Sequence, residues 1–459
     1  MKKIVGLLTL VLVMLSLTSC GGGGSNAKRN HLQFYVWGDS TEVACYEEIA
    51  KAYEKKRGFK VEVIAATGEY YDNLNILLSS KNKAPDIFFT EPGEFVSHLA
   101  SKKIMNLQPY IDEGKYISVK KTPDAKGNIE LWSVNDAYRY DGNNIGTGDY
   151  YALIKDWSPD FVLWYNKSHI DEYNMEKGYN PGDAGFMEYP SSTVPMSWDE
   201  FLDMSHKLRK DNRYGTKLDR VPYKHLMEWI QMTGSSTWDS DNRQFNYQDA
   251  GVKKAFEFFT NLQVGNKASA PIIGSGTGSG EDFANGDLSF AFFGNWAYST
   301  YKWDNVGFEI GYAPSPVPAK ADGSALTEDD VYAGSCGMIA LSVYKDTSNP
   351  ERAVDFLNYY MTYGNLFMAN KGFNIPGNKV VANSTSFTEN DDETLAEINR
   401  YFLNIAEKYT HPIVYNKYIP QITFEYIADK YVSTYLRNPS GESLDKVLEK
   451  IANDVKKEL

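Results

Sequence analysis

The chain has 459 residues, length enough for two or three ordinary domains, and a formal charge of −13 from 47 basic and 60 acidic side chains. Such acidity with no basic stretch argues against a nucleic-acid binder and against a polybasic membrane-surface protein. Aromatic residues make up 14% of the chain, with 33 tyrosines and 9 tryptophans, a composition that serves either bulky cores or surfaces that stack on flat ligands.

Met1-Lys2-Lys3, an apolar run from Ile4 to Leu15 and the small residues before Cys20 read as a signal peptide. The run is shorter than the ~20 residues of a membrane-spanning helix, and no later stretch is apolar enough for a second membrane segment. Leu17-Thr18-Ser19-Cys20 resembles the lipobox of bacterial lipoproteins. That makes 1–20 the expected signal segment and Cys20 the expected site of lipid attachment. The stretch 21–30 has flexible-linker composition and spans roughly 17–19 Å as a coil, so the folded body is expected close to the membrane but outside it. Without residues 1–20, which hold two lysines and no acids, the chain carries 45 basic against 60 acidic groups, a formal −15. The other cysteines are Cys45 and Cys336. Two buried thiols are the favoured reading, with a disulfide as the alternative that sequence leaves open.

Leu32–Trp37 alternates and is rich in β-formers, so it predicts a strand ending at the turn Gly38-Asp39-Ser40. Val43, Tyr46, Ile49, Ala50 and Tyr53 fall at helical spacing within 42–57, and Gly58 stops that helix. A second strand over 59–64, a helix over 70–80 and a short strand over 85–89 continue the alternation. This predicts an α/β layer with parallel strands. Residues 114–160 are irregular and rich in Gly, Asn, Asp and Tyr, as an insertion or crossing region would be. Order resumes at Phe161–Tyr165. Ser197-Trp198-Asp199-Glu200 is a capping box that opens a helix, Asn349-Pro350 opens another that runs to Gly364, and a last helix runs from Ser443 to the end. No internal repeat is present.

The search for catalytic chemistry comes back thin. The six histidines show no metal-ligand spacing, and there is no H-E-x-x-H and no G-x-S-x-G. The glycine run at 274–280 lacks the Lys-Ser/Thr of a phosphate loop and reads as a connector. Asp239-Ser240-Asp241-Asn242-Arg243 begins like a calcium loop but puts Arg243 where a ligand oxygen is needed. Carboxylate pairs such as Glu69 and Asp72 suit a glycosidase in principle, yet solvated helix-face acids are commoner. No cofactor is implied.

Several segments in the right order carry a resemblance. They are Ala84-Pro85-Asp86-Ile87, His98–Ile104, Leu107–Ile111, Leu163-Trp164-Tyr165-Asn166-Lys167, Ser197–Phe201, Phe283–Asp287 running to Gly294-Asn295-Trp296, Pro314–Pro318, Gly334–Gly337 and Asn349–Ala353. Together they resemble the extracellular solute-binding proteins of ABC importers, in the sugar-binding family that includes the maltose-binding proteins. Leu288-Ser289-Phe290-Ala291-Phe292 stands where the family usually has Ala-Ala-Met, and the stretch over 114–160 is longer than the family norm.

The resemblance implies a two-lobed periplasmic-binding-protein-like (type II) fold: two α/β lobes joined by crossing hinge strands, with the ligand between them. Lobe one is expected over 31–160 plus 335–373, and lobe two over 161–334 plus 374–459. It also implies a monomer without enzymatic activity that captures a carbohydrate, an oligosaccharide above all, and delivers it to ABC permease subunits. The protein is then extracytoplasmic and held to the outer face of the cell membrane by the Cys20 lipid alone. The alternatives are a secreted lipoprotein enzyme acting on polysaccharide, or the same fold binding a non-sugar solute. In open α/β sheets ligands sit beyond the carboxyl ends of strands, and a sugar needs flat rings beneath its C–H faces and carboxylates or amides around its hydroxyls. The expected ligand residues are therefore Trp37, Asp39, Tyr70 and Glu91 in lobe one, Trp229, Trp238, Asn295 and Trp296 in lobe two, and Tyr332 and Asn374 in the closing segments. Asp39 has a second reading as a helix cap, and Trp229 as core.

Overall fold

A computed structural model describes residues 29–119, 128–218, 223–239, 243–265, 278–334, 337–411 and 418–459. The signal segment with Cys20, nearly all of the 21–30 tether, residues 240–242 of the acidic loop, 274–277 of the glycine run, and Cys336 lie outside the described residues. Cys45 is a buried free thiol. Among the described residues no helix is long and apolar enough to cross a membrane.

Strand β1 (His31–Val36) leads through Asp39 into helix α1 (Ser40–Arg57), and Gly58 ends that helix at φ 66°, the left-handed conformation that glycine adopts without steric cost. Then come β2 (Lys60–Ala65), α2 (Tyr70–Leu78), β3 (Ile87–Thr90) and α3 (Pro92–Ala100). The chain lays down β4 (Ala152–Trp157), crosses into β5 (Val162–Asn166), adds β6 (Phe290–Phe293) and β7 (Ile310–Ala313), and crosses back into β8 (Ile339–Val343). It closes the first sheet with β9 (Ile375–Pro376).

The first sheet runs β9-β4-β8-β3-β1-β2 and the second β6-β5-β7. The expected parallel pairing holds for β1 with β2 and β3. The rest departs from it. β8 is antiparallel to β3 and β4, β9 is antiparallel to β4, and β5 is antiparallel to both β6 and β7. β8, which returns from the other lobe, enters the first sheet from the far end, which reverses its direction. The stretch over 114–160 also contains a sheet strand: every residue of β4 is buried. Lys155 and Asp156 interrupt its apolar pattern, which hid it from the periodicity. The first sheet also reaches past the expected boundary at 373, because β9 pairs with β4.

Alternation along β5 divides the interior, as the pleat of a strand requires. Val162 and Trp164 join one core with the first sheet, while Leu163 and Tyr165 join the other. Helices α4 (Trp198–Lys207), α5 (Tyr223–Met232) and α6 (Ala250–Thr260) cover the second face. The Ser197 hydroxyl and Glu200 carboxylate form the predicted capping box of α4. Helix α7 (Pro350–Tyr359) packs in the first core and runs on as a wider π turn to Gly364. Helix α8 (Glu393–Tyr409) lies behind β5, where Phe402 stacks on Trp164 at 5.6 Å. Helices α9 (Gln421–Arg437) and α10 (Leu444–Val455) complete lobe two; α10 starts where expected, and the Ser443 side chain caps it. The start of α9 reaches back across to α3. A Cβ on Gly93 would stand 2.3 Å from Gln421 Oε1, so that approach depends on glycine.

Candidate ligand-binding cleft

Between the lobes lies a cavity of about 900 Å³, near the upper end of the ~300–1,000 Å³ typical of small-molecule sites. The loops at the carboxyl ends of β1, β2 and β3 form one wall, as the strand-end rule predicts. Trp37 leaves β1 with its ring edge-on to Tyr70 at 4.4 Å and to Phe89 at 5.0 Å. A ring braced in this way loses little freedom when a ligand covers it. Tyr70 is the brace. It is buried, its hydroxyl accepts from the Phe89 N–H at 2.8 Å, and its ring stacks on Tyr35 at 5.0 Å. Burial pushes that phenol well above its ordinary pKa, so it stays neutral. Asp39 is exposed and caps α1, with Oδ1 accepting from the N–H groups of Thr41 and Glu42 at 2.7 and 2.9 Å. Its cap role and its place on the cleft wall coexist.

The opposite wall comes from lobe two and the crossing segments. Trp296 begins the short helix after β6 and is partly buried against Phe293 and Tyr301. Its indole N–H donates to Asp160 Oδ1 at 2.9 Å. Asp160 fits there because two glycines face it. A Cβ on Gly294 would lie 2.5 Å from Asp160 Oδ1, and one on Gly337 would lie 2.3 Å from Oδ2. Asn374 donates to Asp156 Oδ1 at 3.3 Å, while its own Oδ1 is buried with no partner among the described residues. Tyr426 of α9 closes one side.

Six of the ten expected ligand residues thus line one cavity: Trp37, Asp39, Tyr70, Glu91, Trp296 and Asn374. The other four do not line it. Trp229 is fully buried, edge-on to Phe258 at 4.9 Å in the lobe-two core. Its helical spacing with Leu226 and Ile230 is that of a core face. Trp238 is buried against Tyr418. Asn295 is also fully buried, accepting from the Ser158 hydroxyl and donating to Asn399 Oδ1 and the Phe373 carbonyl. It ties crossing segments together. Tyr332 stacks on His411 at 4.3 Å beside a separate surface depression.

The cleft also contains residues that the sequence did not single out as ligand-facing. Glu42 and Glu94 lie in the first turns of α1 and α3, and Lys155, Asp156 and Asp160 come from β4 and the first crossing. Lys155 is almost fully buried. Its ammonium pairs with Asp156, lies 3.7 Å from Glu42 Oε1 and sits over the Phe89 ring at 4.9 Å. Burial raises the Glu42 pKa, and Lys155 opposes that rise. Glu94 is pushed up to about 7, first by burial and then by Glu91, Glu425 and Asp72. In all, eight carboxylates and one lysine line the cavity. Among the described residues no group of three or more His, Cys, Asp or Glu side chains is placed to hold a metal ion.

A cleft with two braced indoles and many hydrogen-bond acceptors is equipped to bind and orient a solute. Comparison with known proteins agrees. An ABC substrate-binding protein from Listeria monocytogenes, solved in complex with cycloalternan, shares the fold at a TM-score of 0.72 and 16% identity, covering 93% of this chain and 98% of its own. The sugar-binding protein MalE from Xanthomonas citri matches at 0.67 and 15%, covering 93% and 97%. UgpB from Mycobacterium tuberculosis, in complex with glycerophosphocholine, matches at 0.70 and 16%, covering 94% and 98%. No curated protein matches the chain. The sequence profile of the bacterial extracellular solute-binding proteins matches residues 48–395, most of the chain, and with that match the protein belongs to the bacterial extracellular solute-binding protein family.

Proposed function

We propose that this protein is the substrate-binding lipoprotein of an ABC importer, that it captures a carbohydrate in the interlobe cleft, and that it hands the sugar to membrane permease subunits. Family membership already implies an extracytoplasmic protein that binds a solute and works with an ABC permease. The observation that carries the finer reading is the pairing of Trp37 from one lobe with Trp296 from the other in a single cavity, among carboxylates and the Asn374 amide. Rings cover the C–H faces of a sugar and acceptors take its hydroxyls. The protein performs no chemistry on the solute, works as a monomer, and is tethered through acylated Cys20.

Closure of the lobes about β5 and the crossing segment before β8 accompanies capture, a known mode for receptors of this architecture. Calorimetry with mono- to tetrasaccharides should find a binder, and small-angle scattering should show a smaller radius of gyration with it than without. Saturation of the protein by a sugar with an unchanged radius would count against a hinged cleft. Absence of binding by every sugar would count against the carbohydrate.

A further inference from the structure

The charge of the cleft is lopsided. Eight carboxylates face a single ammonium, and Lys155 is already committed to Asp156 and Glu42. The most enclosed acid without a counter-charge is Glu94. It is 9% exposed, borders the cavity, and its carboxyl has no hydrogen-bond partner among the described residues. Its charged neighbours are all acids: Glu91 at the start of the same helix, Asp72 on α2, and Glu425 on α9 of the other lobe. A buried carboxylate without a partner is costly, and three neighbouring anions add to that cost. The group responds by holding its proton to about pH 7.

We propose that the solute of this cleft is a sugar bearing a protonated amine, with the ammonium seated at Glu94 and the sugar frame against Trp37 and Trp296. This rests on the carbohydrate reading above and narrows it. An anionic solute would meet repulsion from every side. A bare divalent ion fits poorly, because no metal-holding cluster is present among the described residues and the cavity measures about 900 Å³. A neutral sugar would desolvate Glu94 further without offering it a charge. An ammonium at that point supplies the missing partner, in a charge-assisted hydrogen bond of the strong kind. It also screens Glu94 from Glu425, so that bringing the two lobes together no longer sets like charges against each other.

The test is calorimetry at pH 6.5 with glucosamine and galactosamine, as monomers and short oligomers, each beside its N-acetylated form and the matching neutral sugar. The free-amine form should bind at least ten-fold more tightly than its N-acetylated partner, and added salt should weaken it. Because a nearby cation lowers the Glu94 pKa, binding should release a proton, seen as a heat that varies with the ionisation enthalpy of the buffer. Glu94→Gln should lose that proton release and at least ten-fold of the amine affinity while keeping the melting temperature at or above that of the parent at pH 8. If an N-acetylated or neutral sugar binds as tightly as its amine, the amine is refuted and the carbohydrate reading stands. If no sugar of any kind binds, both fail. Preference for spermidine over every sugar would refute the sugar frame.

Discussion

Replacing Trp296 by alanine removes the indole that lobe two contributes to the cleft together with the hydrogen bond it makes to Asp160. Aromatic anchors of this kind cost about 2–4 kcal/mol at binding hot spots. At ~1.4 kcal/mol per decade, affinity should fall roughly 30-fold to several-hundred-fold. The same change takes the indole donor from Asp160, and a hydrogen bond to a charged group contributes about 1.5–3 kcal/mol. The ring is partly exposed and packs edge-on to Phe293 at 5.4 Å, so its share of the apo stability is smaller than that of a core tryptophan. Trp296→Phe separates the two losses, since it keeps a stacking face and discards the N–H. Calorimetric affinity and ligand-free melting temperature should be measured on both variants. The alanine variant should lose most of its affinity and a few degrees of stability, and the phenylalanine variant should recover much of the affinity. A large fall in apo stability with affinity intact would place Trp296 in the core rather than in the binding wall, and the reasoning would be wrong.

A Cβ on Gly337 would lie 2.3 Å from Asp160 Oδ2 and 2.4 Å from its Cγ, so Gly337→Ala should push Asp160 off the indole. Affinity should drop at least ten-fold, and the drop should be absent if Asp160 is truncated to alanine in the same chain. Glu94 carries a folded-state pKa near 7, above its value in an unfolded chain. Its contribution to stability is therefore fully present below about pH 4.5 and is lost as pH rises through 7, a difference on the order of 3 kcal/mol. Glu94→Gln should flatten that part of the melting-temperature profile, and a profile identical to the parent would show that Glu94 is not strained. Cys20→Ser should abolish labelling with a fatty-acid analogue in cells, and continued incorporation would refute the lipobox reading.

The parts of the fold that were legible in the sequence are those set by local rules. Asp39 before α1, Gly58 after it, the Ser197–Glu200 box and Ser443 before α10 are capping chemistry, which depends on neighbours within four residues. The three loops of the lobe-one wall were legible for a related reason: parallel strands that alternate with helices put their carboxyl ends on one edge. What stayed hidden depends on distant partners. Lys155 and Asp156 broke the apolar pattern of β4, since a buried ion pair looks like loop polarity until its partner Glu42, more than a hundred residues away in the chain, is in place. Asp160 follows a proline in a short crossing, and its role rests on Trp296, Gly294 and Gly337. Trp229 and Trp296 are the same residue type in similar apolar surroundings. Only the packing of α5 against α6 distinguishes the one that fills a core from the one that lines a cavity.

The arrangement around Asp160 gives the cleft a physical link to its crossing segments. Asp160 sits in the first crossing, accepts from the indole of Trp296, and occupies space that Gly337 of the second crossing leaves open. Ser158 donates its backbone N–H to the Gly337 carbonyl at 3.1 Å and its hydroxyl to Asn295 Oδ1 at 3.2 Å. Asn295 in turn donates to the Phe373 carbonyl, next to Asn374 on the cleft wall, and to Asn399 on α8. Further along, Glu228 of α5 accepts from the Gly334 N–H at 2.7 Å, and a Cβ on Gly334 would meet that carboxylate. On the proposed binding mode, a ligand that settles on Trp296 would therefore press on hydrogen bonds that tie the crossing segments together. The proposed closure would then couple a shift of that ring to rotation at the crossings. Asn295, fully buried, holds the crossing segments together directly before Trp296, which lines the cavity.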